Sequence, residues 1–305
     1  MATSETTTVT AQTTRVRSNR PSLLRWAREV GWRHLLLLSF AAFALFPVAW
    51  IVSGSFNAVD NQAAVSIIPD EVTTDNYTEL FTDPNTPVDR WLWNSWRVGL
   101  VAASLNVVVA ALAAYAFSRL RFRGRRVGLI TLLLVQVFPQ FLGFIALFIL
   151  AQQMGEVFPQ AGLDTHVFLI LVYLGGAIGF NAFLIKGFMD TIPDSLDESA
   201  RVDGASAWVI FSRIVFPLSR PVLAVIFIIT FINIFSEYIL ARTLLRSTQQ
   251  FTLAVGLQLF VQSDYASKWG NLTAAAVVGA LPIVLTFLIA QRQIIGGLTQ
   301  GAVKG

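Results

Sequence analysis

The stretch ESARVDGASAWVIFSRIVFP, residues 198–217, lies between two long apolar segments and yet carries four charged side chains. Just ahead of it, Pro193 suits the first turn of a helix, where its missing N–H is not needed. Acidic residues crowd the same end, where the helix dipole favours anions, namely Asp194, Asp197 and Glu198. We therefore predict a short helix over residues 190–203.

The second half of the stretch predicts another helix. Gly204 supplies the permissive turn that ends the first helix, and the second is expected from about Ser206. Apolar residues then recur at helical spacing and give it an apolar face: Trp208, Phe211, Ile214 and Val215. Two prolines are expected to stop it before the next apolar segment, Pro217 and Pro221.

Two short helices at an angle have two interpretations. Leu196, Ala200 and Asp203 share one side of the first helix, and such a small, acidic face suits a cytosolic partner that grips it. The alternative is an interfacial amphipathic helix that only anchors the loop to the membrane. The residues alone leave both interpretations open.

Composition places most of the chain in an apolar environment. Of 305 residues, 55% are hydrophobic and only 13% are charged, against roughly 25% charged in soluble domains. The net charge of +4 would fit a nucleic-acid partner, but the basic residues cluster beside apolar runs, as topology signals do. No nucleic acid is therefore expected. Cysteine is absent, which excludes disulfides and thiolate metal sites, and no metal site is expected.

Six segments are long and apolar enough to span a membrane as helices. We therefore predict an all-α integral membrane protein with six transmembrane helices, at residues 35–54, 98–117, 127–151, 167–185, 222–241 and 271–291. Residues 1–33, rich in Ser, Thr and Arg, are expected to form a disordered basic tail, residues 34–295 the membrane domain, and residues 296–305 a C-terminal tail.

Loop charge predicts the orientation, because basic loops stay in the cytoplasm. The tail 1–33 has six arginines and the loop 118–126 has five, whereas the loop 55–96 has seven acids and Arg90 as its only base. Both termini and residues 190–217 are therefore expected in the cytoplasm, with the loop 55–96 outside.

The stretch 198–217 resembles the EAA loop of ABC importer permeases, a cytoplasmic helix-turn-helix in which E-A-A, G and I-x-L-P recur at fixed spacing. Ser199 and Phe216 depart from that pattern. In this family, which has the type I importer permease fold, the short helix docks in a cleft of the ATP-binding subunit. The resemblance implies that the coupling residues are Glu198, Ser199, Ala200, Asp203, Gly204, Ile214 and Pro217.

Four further stretches are similar to carbohydrate importer permeases, especially the maltose/maltodextrin type: residues 236–245, 251–260, 274–292 and 296–305. The resemblance implies that the C-terminal tail reaches between two ATPase subunits through Gly297, Thr299, Gln300 and Lys304, although a frayed terminus is the alternative. It also implies that the loop 258–268 meets a sugar-binding protein through Gln262, Ser263, Asp264 and Tyr265, although an ordinary solvated loop is the alternative.

The function implied is that of a non-catalytic permease subunit in a bacterial plasma membrane importer for maltose, maltodextrin, or another α-glucoside such as trehalose. Its implied partners are membrane lipid, a MalF-like second permease, a homodimer of ATP-binding subunits and an extracytoplasmic sugar-binding protein. The chain has no G-x-x-x-x-G-K-[ST] phosphate loop, so ATP and Mg are expected on the partner subunits and no cofactor in this chain. An ion-coupled secondary transporter is the alternative, but it would need more ionisable residues within the membrane.

Glu237 is the one acid predicted inside a span, where acids are costly and usually functional. It is expected either to contact the translocation path or the second permease, or to reach the outer interface as a helix-end acid. Gly175, Gly176 and Gly179 form a small-residue face, for which close helix packing and substrate contact are the two interpretations.

Overall fold

The structure is a computed structural model that describes residues 27–58, 68–69, 71–261 and 268–301. The chain divides into two compact units, with the boundary in the sequence between Ala49 and Trp50. The described part of the first unit is helical. A π turn, Ala27–Gly31, leads into α1 (Trp32–Ser55), which contains Pro47 and ends in the second unit.

The described part of the second unit is also mainly helical. One antiparallel bridge joins Asn57 to Val72. Short 3-10 turns at Gln140–Gly143, Pro159–Ala161, Thr248–Gln250 and Gln258–Val261 connect several of the helices. The helices are α2 (Asp75–Thr82), α3 (Val88–Arg119), α4 (Arg125–Val137), α5 (Phe144–Val157), α6 (His166–Met189), α7 (Asp194–Val202), α8 (Ala207–Leu218), α9 (Arg220–Phe235), α10 (Ile239–Leu244), α11 (Leu253–Leu257) and α12 (Trp269–Gly301).

Within the described ranges, four helices are long and apolar enough to cross a membrane, and six if each of two bent pairs is one span. One bent pair is α6, whose halves His166–Gly176 and Ile178–Met189 meet at 50°, and the other is α8 with α9, at 74°. The all-α fold class is therefore confirmed.

The third predicted span, residues 127–151, is wrong as a single helix. Helix α4 ends at Val137, and Pro139 precedes the 3-10 turn Gln140–Gly143 before α5 begins. Proline lacks the N–H that would continue the helix, and its ring disfavours helical geometry at the preceding residue. The segment long enough to span is instead Gln140–Val157.

Helix α3 is the centre of the second unit and packs along both α6 and α9. Alanines line its buried face and allow neighbouring backbones to approach closely: Ala102, Ala103, Ala110, Ala111 and Ala114. Gly99 serves the same purpose, because a Cβ there would lie 2.9 Å from the ring of fully buried Phe231 on α9.

A buried polar contact joins the three helices midway along the bundle. Asn181 on α6 donates to Asn106 Oδ1 on α3 at 2.6 Å and to Thr230 Oγ1 on α9 at 3.1 Å. All three side chains are buried. Hydrogen bonds between membrane helices fix which faces meet, so this contact sets the register of α3, α6 and α9.

At the α2 end of the bundle, α3 also holds an irregular segment, residues 248–253. Trp91 Nε1 donates to the Thr248 carbonyl at 2.7 Å, and Asn94 Nδ2 donates to the carbonyls of Gln249 and Phe251 at 2.9 and 3.0 Å. Two further side chains complete the contact, since Ser95 Oγ accepts from Leu253 N–H at 2.7 Å and His166 Nε2 lies 2.8 Å from Gln250 O. Buried backbone groups need such partners, and here side chains supply them.

Helix α2 is bound to the start of α12 by ionic contacts. Lys268 pairs with Glu79 and also lies 3.9 Å from Asp83. The hydrogen bond from the Lys268 ammonium lowers the pKa of Glu79 below its usual value. The acidic loop predicted from the sequence is therefore partly neutralised by a basic residue 189 positions along the chain.

The contacts of Asn94 predict how substitution affects stability. Asn94→Asp keeps the side-chain size but replaces the donor with an acceptor, so two carbonyls lose their partner. We expect the free energy of unfolding to fall by about 1–3 kcal/mol, because the buried Phe251 carbonyl is left without a donor. Thermal unfolding in detergent measures this, with Asn85→Asp at an exposed position as the control. Equal unfolding midpoints for the two variants would contradict the role assigned to Asn94.

Candidate functional site

The candidate site is the module formed by residues 190–217, whose first helix is shorter than predicted. Asp190, Thr191 and Ile192 continue the hydrogen bonding of α6 in a final turn, with Asp190 N–H donating to Lys186 O at 2.9 Å. Helix α7 then begins at Asp194, not at residue 190. Pro193 explains the difference, because the residue before a proline is driven out of helical geometry.

The turn that ends α7 is the one the sequence predicts. Gly204 has φ +82°, a left-handed conformation that residues with a Cβ rarely adopt. Gly204 N–H donates to Arg201 O at 3.0 Å and Ala205 N–H to Ala200 O at 2.9 Å, which is a Schellman motif. Ser206 Oγ then accepts from Val209 N–H and caps α8.

Helix α8 ends before the next apolar segment, between Pro217 and Pro221, as the two prolines predict. The helix passes through Pro217 to Leu218, and the chain bends by 74° at Ser219 before α9. A π turn, Phe211–Val215, precedes the proline. The wider turn is consistent with the steric demand of the proline ring on the preceding backbone.

Arg119, the last residue of α3, binds the buried side of the module. Its guanidinium donates to Asp194 Oδ1 and to Ile192 O, the second at 2.7 Å, and Nε lies 3.1 Å from Asp197 Oδ2. The last contact is ionic and lacks hydrogen-bond geometry. Side-chain exposure is 6% for Arg119 and 2% for Asp197, so both charges are buried.

Two further side chains of α3 contact the module. Tyr115 OH donates to Ala207 O at 3.1 Å, and Ser118 Oγ donates to Asp190 Oδ1 at 2.6 Å. Asp190 also pairs with Lys186. Partial burial favours the neutral acid, but the bonds from Lys186 and Ser118 outweigh it and hold the pKa of Asp190 below its usual value.

These contacts with α3 were missed by the sequence interpretation, which took the arginines of residues 118–126 only as topology signals. The acidic residues Asp194 and Asp197 were attributed to the dipole of α7 alone. No periodic pattern links residues that lie 75 to 78 positions apart in the chain. The one sequence signal that could have indicated these contacts is an arginine at the end of an apolar helix, followed later in the chain by closely spaced acids.

The opposite side of the module is exposed. Val202 is 88% exposed, Trp208 65% and Leu196 42%. Of the expected coupling residues, four are exposed, namely Glu198, Ser199, Asp203 and Gly204. Ala200, Ile214 and Pro217 are half-buried. The module therefore presents a mixed apolar and charged surface, although its buried face is fixed to α3.

Glu237 lies at a helix break and not inside a continuous span, which corrects the prediction. Helix α9 ends at Phe235, and the Glu237 carboxylate accepts from Leu240 N–H at 2.8 Å and Ala241 N–H at 3.0 Å, so it caps α10. Tyr173 OH on α6 donates to the same carboxylate at 2.6 Å. The acid therefore satisfies backbone groups that the break leaves without partners.

Glu237 also lines a cavity of about 1050 Å³ between α4, α5, α6 and α9. Its wall is mostly apolar, with a few amide side chains that include Gln136, Gln140 and Asn233. Among the small residues of α6, Gly179 serves close packing, because a Cβ there would lie 2.8 Å from Leu132 O. Gly175 instead borders the cavity, with nothing within 4 Å of such an atom.

Several expected contact residues fall outside what the structure describes. Gln262, Ser263, Asp264, Tyr265 and Lys304 lie outside the described ranges. Gly297, Thr299 and Gln300 belong to the backbone of α12, which continues to Gly301, but the side chains of Thr299 and Gln300 are outside the description. Within the described residues, no group of three or more His, Cys, Asp or Glu side chains could hold a metal ion.

Comparison with known proteins gives close relatives over most of the chain. The maltose/maltodextrin transport system permease protein MalG of Vibrio parahaemolyticus is 41% identical over 284 residues, which are 89% of this chain and 95% of that protein. MalG of Escherichia coli K12 is 42% identical with the same two shares.

Solved structures agree on the fold. A bacterial ABC transporter involved in the import of the acidic polysaccharide alginate matches with a TM-score of 0.68 and 26% identity, over 89% of this chain and 99% of that one. A bacterial alginate ABC transporter in complex with an alginate-bound periplasmic protein matches with a TM-score of 0.61 at 19% identity, over 87% and 94% of the two chains.

The family model of the binding-protein-dependent transport system inner membrane component matches residues 106–298. That range contains the whole 190–217 module, the last residues of α3 that hold it and the cavity beside Glu237. The chain therefore belongs to the family of binding-protein-dependent inner membrane transport components.

Proposed function

We propose that this chain is the permease subunit of an ATP-driven importer for maltose, maltodextrin or a related α-glucoside. The observation that carries the proposal is the 190–217 module, which is anchored by buried charges on one side and exposes apolar and charged side chains on the other. A folded surface of that kind suits docking to a cytosolic protein. The names of the relatives support the sugar class.

In this proposal the ATP-binding subunits dock on α7, and both termini lie in the cytoplasm. Exposed Leu196 and Val202 supply apolar contact, and Glu198 and Asp203 face basic side chains of the partner. Ile214 and Pro217 lie on α8, half-buried, just before the 74° bend into α9. ATP and Mg bind on those partner chains, which supply the hydrolysis.

The remaining partners follow from the same proposal. A second, MalF-like permease completes the translocation path, and an extracytoplasmic sugar-binding protein delivers the sugar through Gln262, Ser263, Asp264 and Tyr265. The end of the chain, with Gly297, Thr299, Gln300 and Lys304, reaches the ATP-binding subunits. A structure of the assembled complex would test these contacts, and their absence from its interfaces would overturn them.

The cavity beside Glu237 forms part of the path in this proposal. Gln140 and Asn233 are exposed amides in its wall and can bind sugar hydroxyls. Glu237 has a different role, because its carboxylate is already engaged by Tyr173, Leu240 and Ala241. It stabilises the cavity wall at the break between α9 and α10.

Transport by the reconstituted complex tests the function. Proteoliposomes that contain this chain, the second permease and the ATP-binding subunits should take up radiolabelled maltose when ATP and the binding protein are present. ATP-independent uptake, or uptake driven by an ion gradient, would overturn the proposal in favour of a secondary transporter.

In the same assay, Glu237→Gln should lower the uptake rate and leave the order of preference among α-glucosides unchanged.

The turn at Gly204 provides a matched pair of variants. A Cβ at Gly204 would meet nothing within 4 Å, so the cost of substitution comes from φ +82° alone. Asparagine tolerates this conformation and valine does not. We expect Gly204→Val to reduce co-purification of the ATP-binding subunits and uptake about tenfold or more, since about 1–2 kcal/mol of strain shifts the turn, and Gly204→Asn to retain most of both.

Two other outcomes for the Gly204 variants would contradict this prediction. If the valine variant assembles and transports like the wild type, the geometry of the turn is not needed for docking. If both variants lose uptake equally, the effect comes from the added side chain and not from the backbone conformation.

A further inference from the structure

Arg119 is the residue through which the module and α3 are joined. Its guanidinium contacts the module at Ile192 O, Asp194 and Asp197. The two Asp197 oxygens have no hydrogen-bond partner among the described residues, so the Arg119 charge is what compensates this buried carboxylate. Removal of Arg119 alone would leave Asp197 as an uncompensated buried charge, whereas Arg119 would still pair with Asp194 if Asp197 were removed.

The contacts around Arg119 involve three different elements. Ser118 bonds Asp190 at the end of α6, Arg119 binds the start of α7, and Tyr115 bonds Ala207 at the start of α8. All three side chains lie within the last turns of one helix. The module therefore has little freedom to turn or slide without carrying the end of α3 with it.

Helix α3 is long enough to connect both ends of the bundle. It has 32 residues, and at 1.5 Å per residue it extends about 48 Å. Its first turns hold the segment 248–253 through Trp91, Asn94 and Ser95. One uninterrupted helix thus bonds the module at one end and an irregular segment at the other.

We propose that Arg119 is a positioning residue that makes the module and α3 one rigid body, so that α3 carries a displacement of the module to the segment 248–253. The inference rests on the proposed function, because the displacement comes from the docked ATP-binding subunits. Arg119 touches neither sugar nor nucleotide in this account. It determines how much of the movement at α7 reaches the opposite end of the bundle.

The test compares a double variant that lacks both buried charges with a single variant that lacks an exposed charge. Arg119→Met combined with Asp197→Leu removes both buried charges together, and such replacements usually preserve folding. Arg123→Met removes an exposed arginine of the same loop. The complex is reconstituted with its ATP-binding subunits, and sugar uptake and ATP hydrolysis are measured in the same vesicles.

We expect the double variant to assemble and to hydrolyse ATP. The ratio of sugar transported to ATP hydrolysed should fall about tenfold, which lies within the range of known coupling effects. A purely structural ion pair would instead change assembly or thermal stability and leave that ratio intact. Arg119→Lys keeps the charge but presents a single ammonium group, and we expect an intermediate ratio. An unchanged ratio in the double variant would overturn the proposal.

A second measurement on the chain alone separates this inference from the proposed function. The chain has no cysteine, so Val202→Cys provides a unique site for a spin label on α7. We expect the label to be more mobile in the double variant than in the Arg123→Met control. Unchanged mobility would overturn the rigid-body claim whatever the transport result.

Wild-type uptake that needs no ATP would overturn the proposed function and the coupling role. The mobility of the label would still show whether the module and α3 form one rigid body.

Discussion

Hydrogen bonds from α3 to irregular backbone are the interaction on which the rest of the second unit depends. Within an apolar protein or a membrane, backbone groups outside regular helices must find internal partners. At one end of α3, Trp91 and Asn94 donate to carbonyls between residues 248 and 251. At the other end, Arg119 donates to the Ile192 carbonyl between α6 and α7, and Tyr115 donates to the Ala207 carbonyl in the first turn of α8. One helix thus stabilises both irregular regions and positions the module.

The module was largely predictable from the sequence because its signals are local. A positive φ favours glycine and a helix start favours serine, so Gly204 and Ser206 marked the turn directly. The anchoring of the module was not predictable in the same way. Arg119 and Asp197 are far apart in sequence, and a basic loop beside an apolar helix has a sufficient explanation in membrane topology.

The two corrections along the spans have a common cause. Apolar composition identifies membrane segments but does not report where a helix breaks. Pro139 interrupts the third segment, and α9 ends two residues before Glu237, yet apolar residues lie on both sides of each break. Bundles tolerate such breaks when neighbouring side chains satisfy the freed backbone groups, as Glu237 does for α10. Those partners become visible only in three dimensions.

The central claim is that the exposed side of α7 meets an ATP-binding subunit. The most direct measurement is cross-linking from Val202→Cys, whose thiol would be the only one in this chain, with Val72→Cys as a control that is also exposed, at the α2 end. The account predicts a thiol-to-amine cross-link from residue 202 to the ATP-binding subunit and none from residue 72. A residue 202 thiol that forms no such cross-link in an assembled, transporting complex would contradict the account.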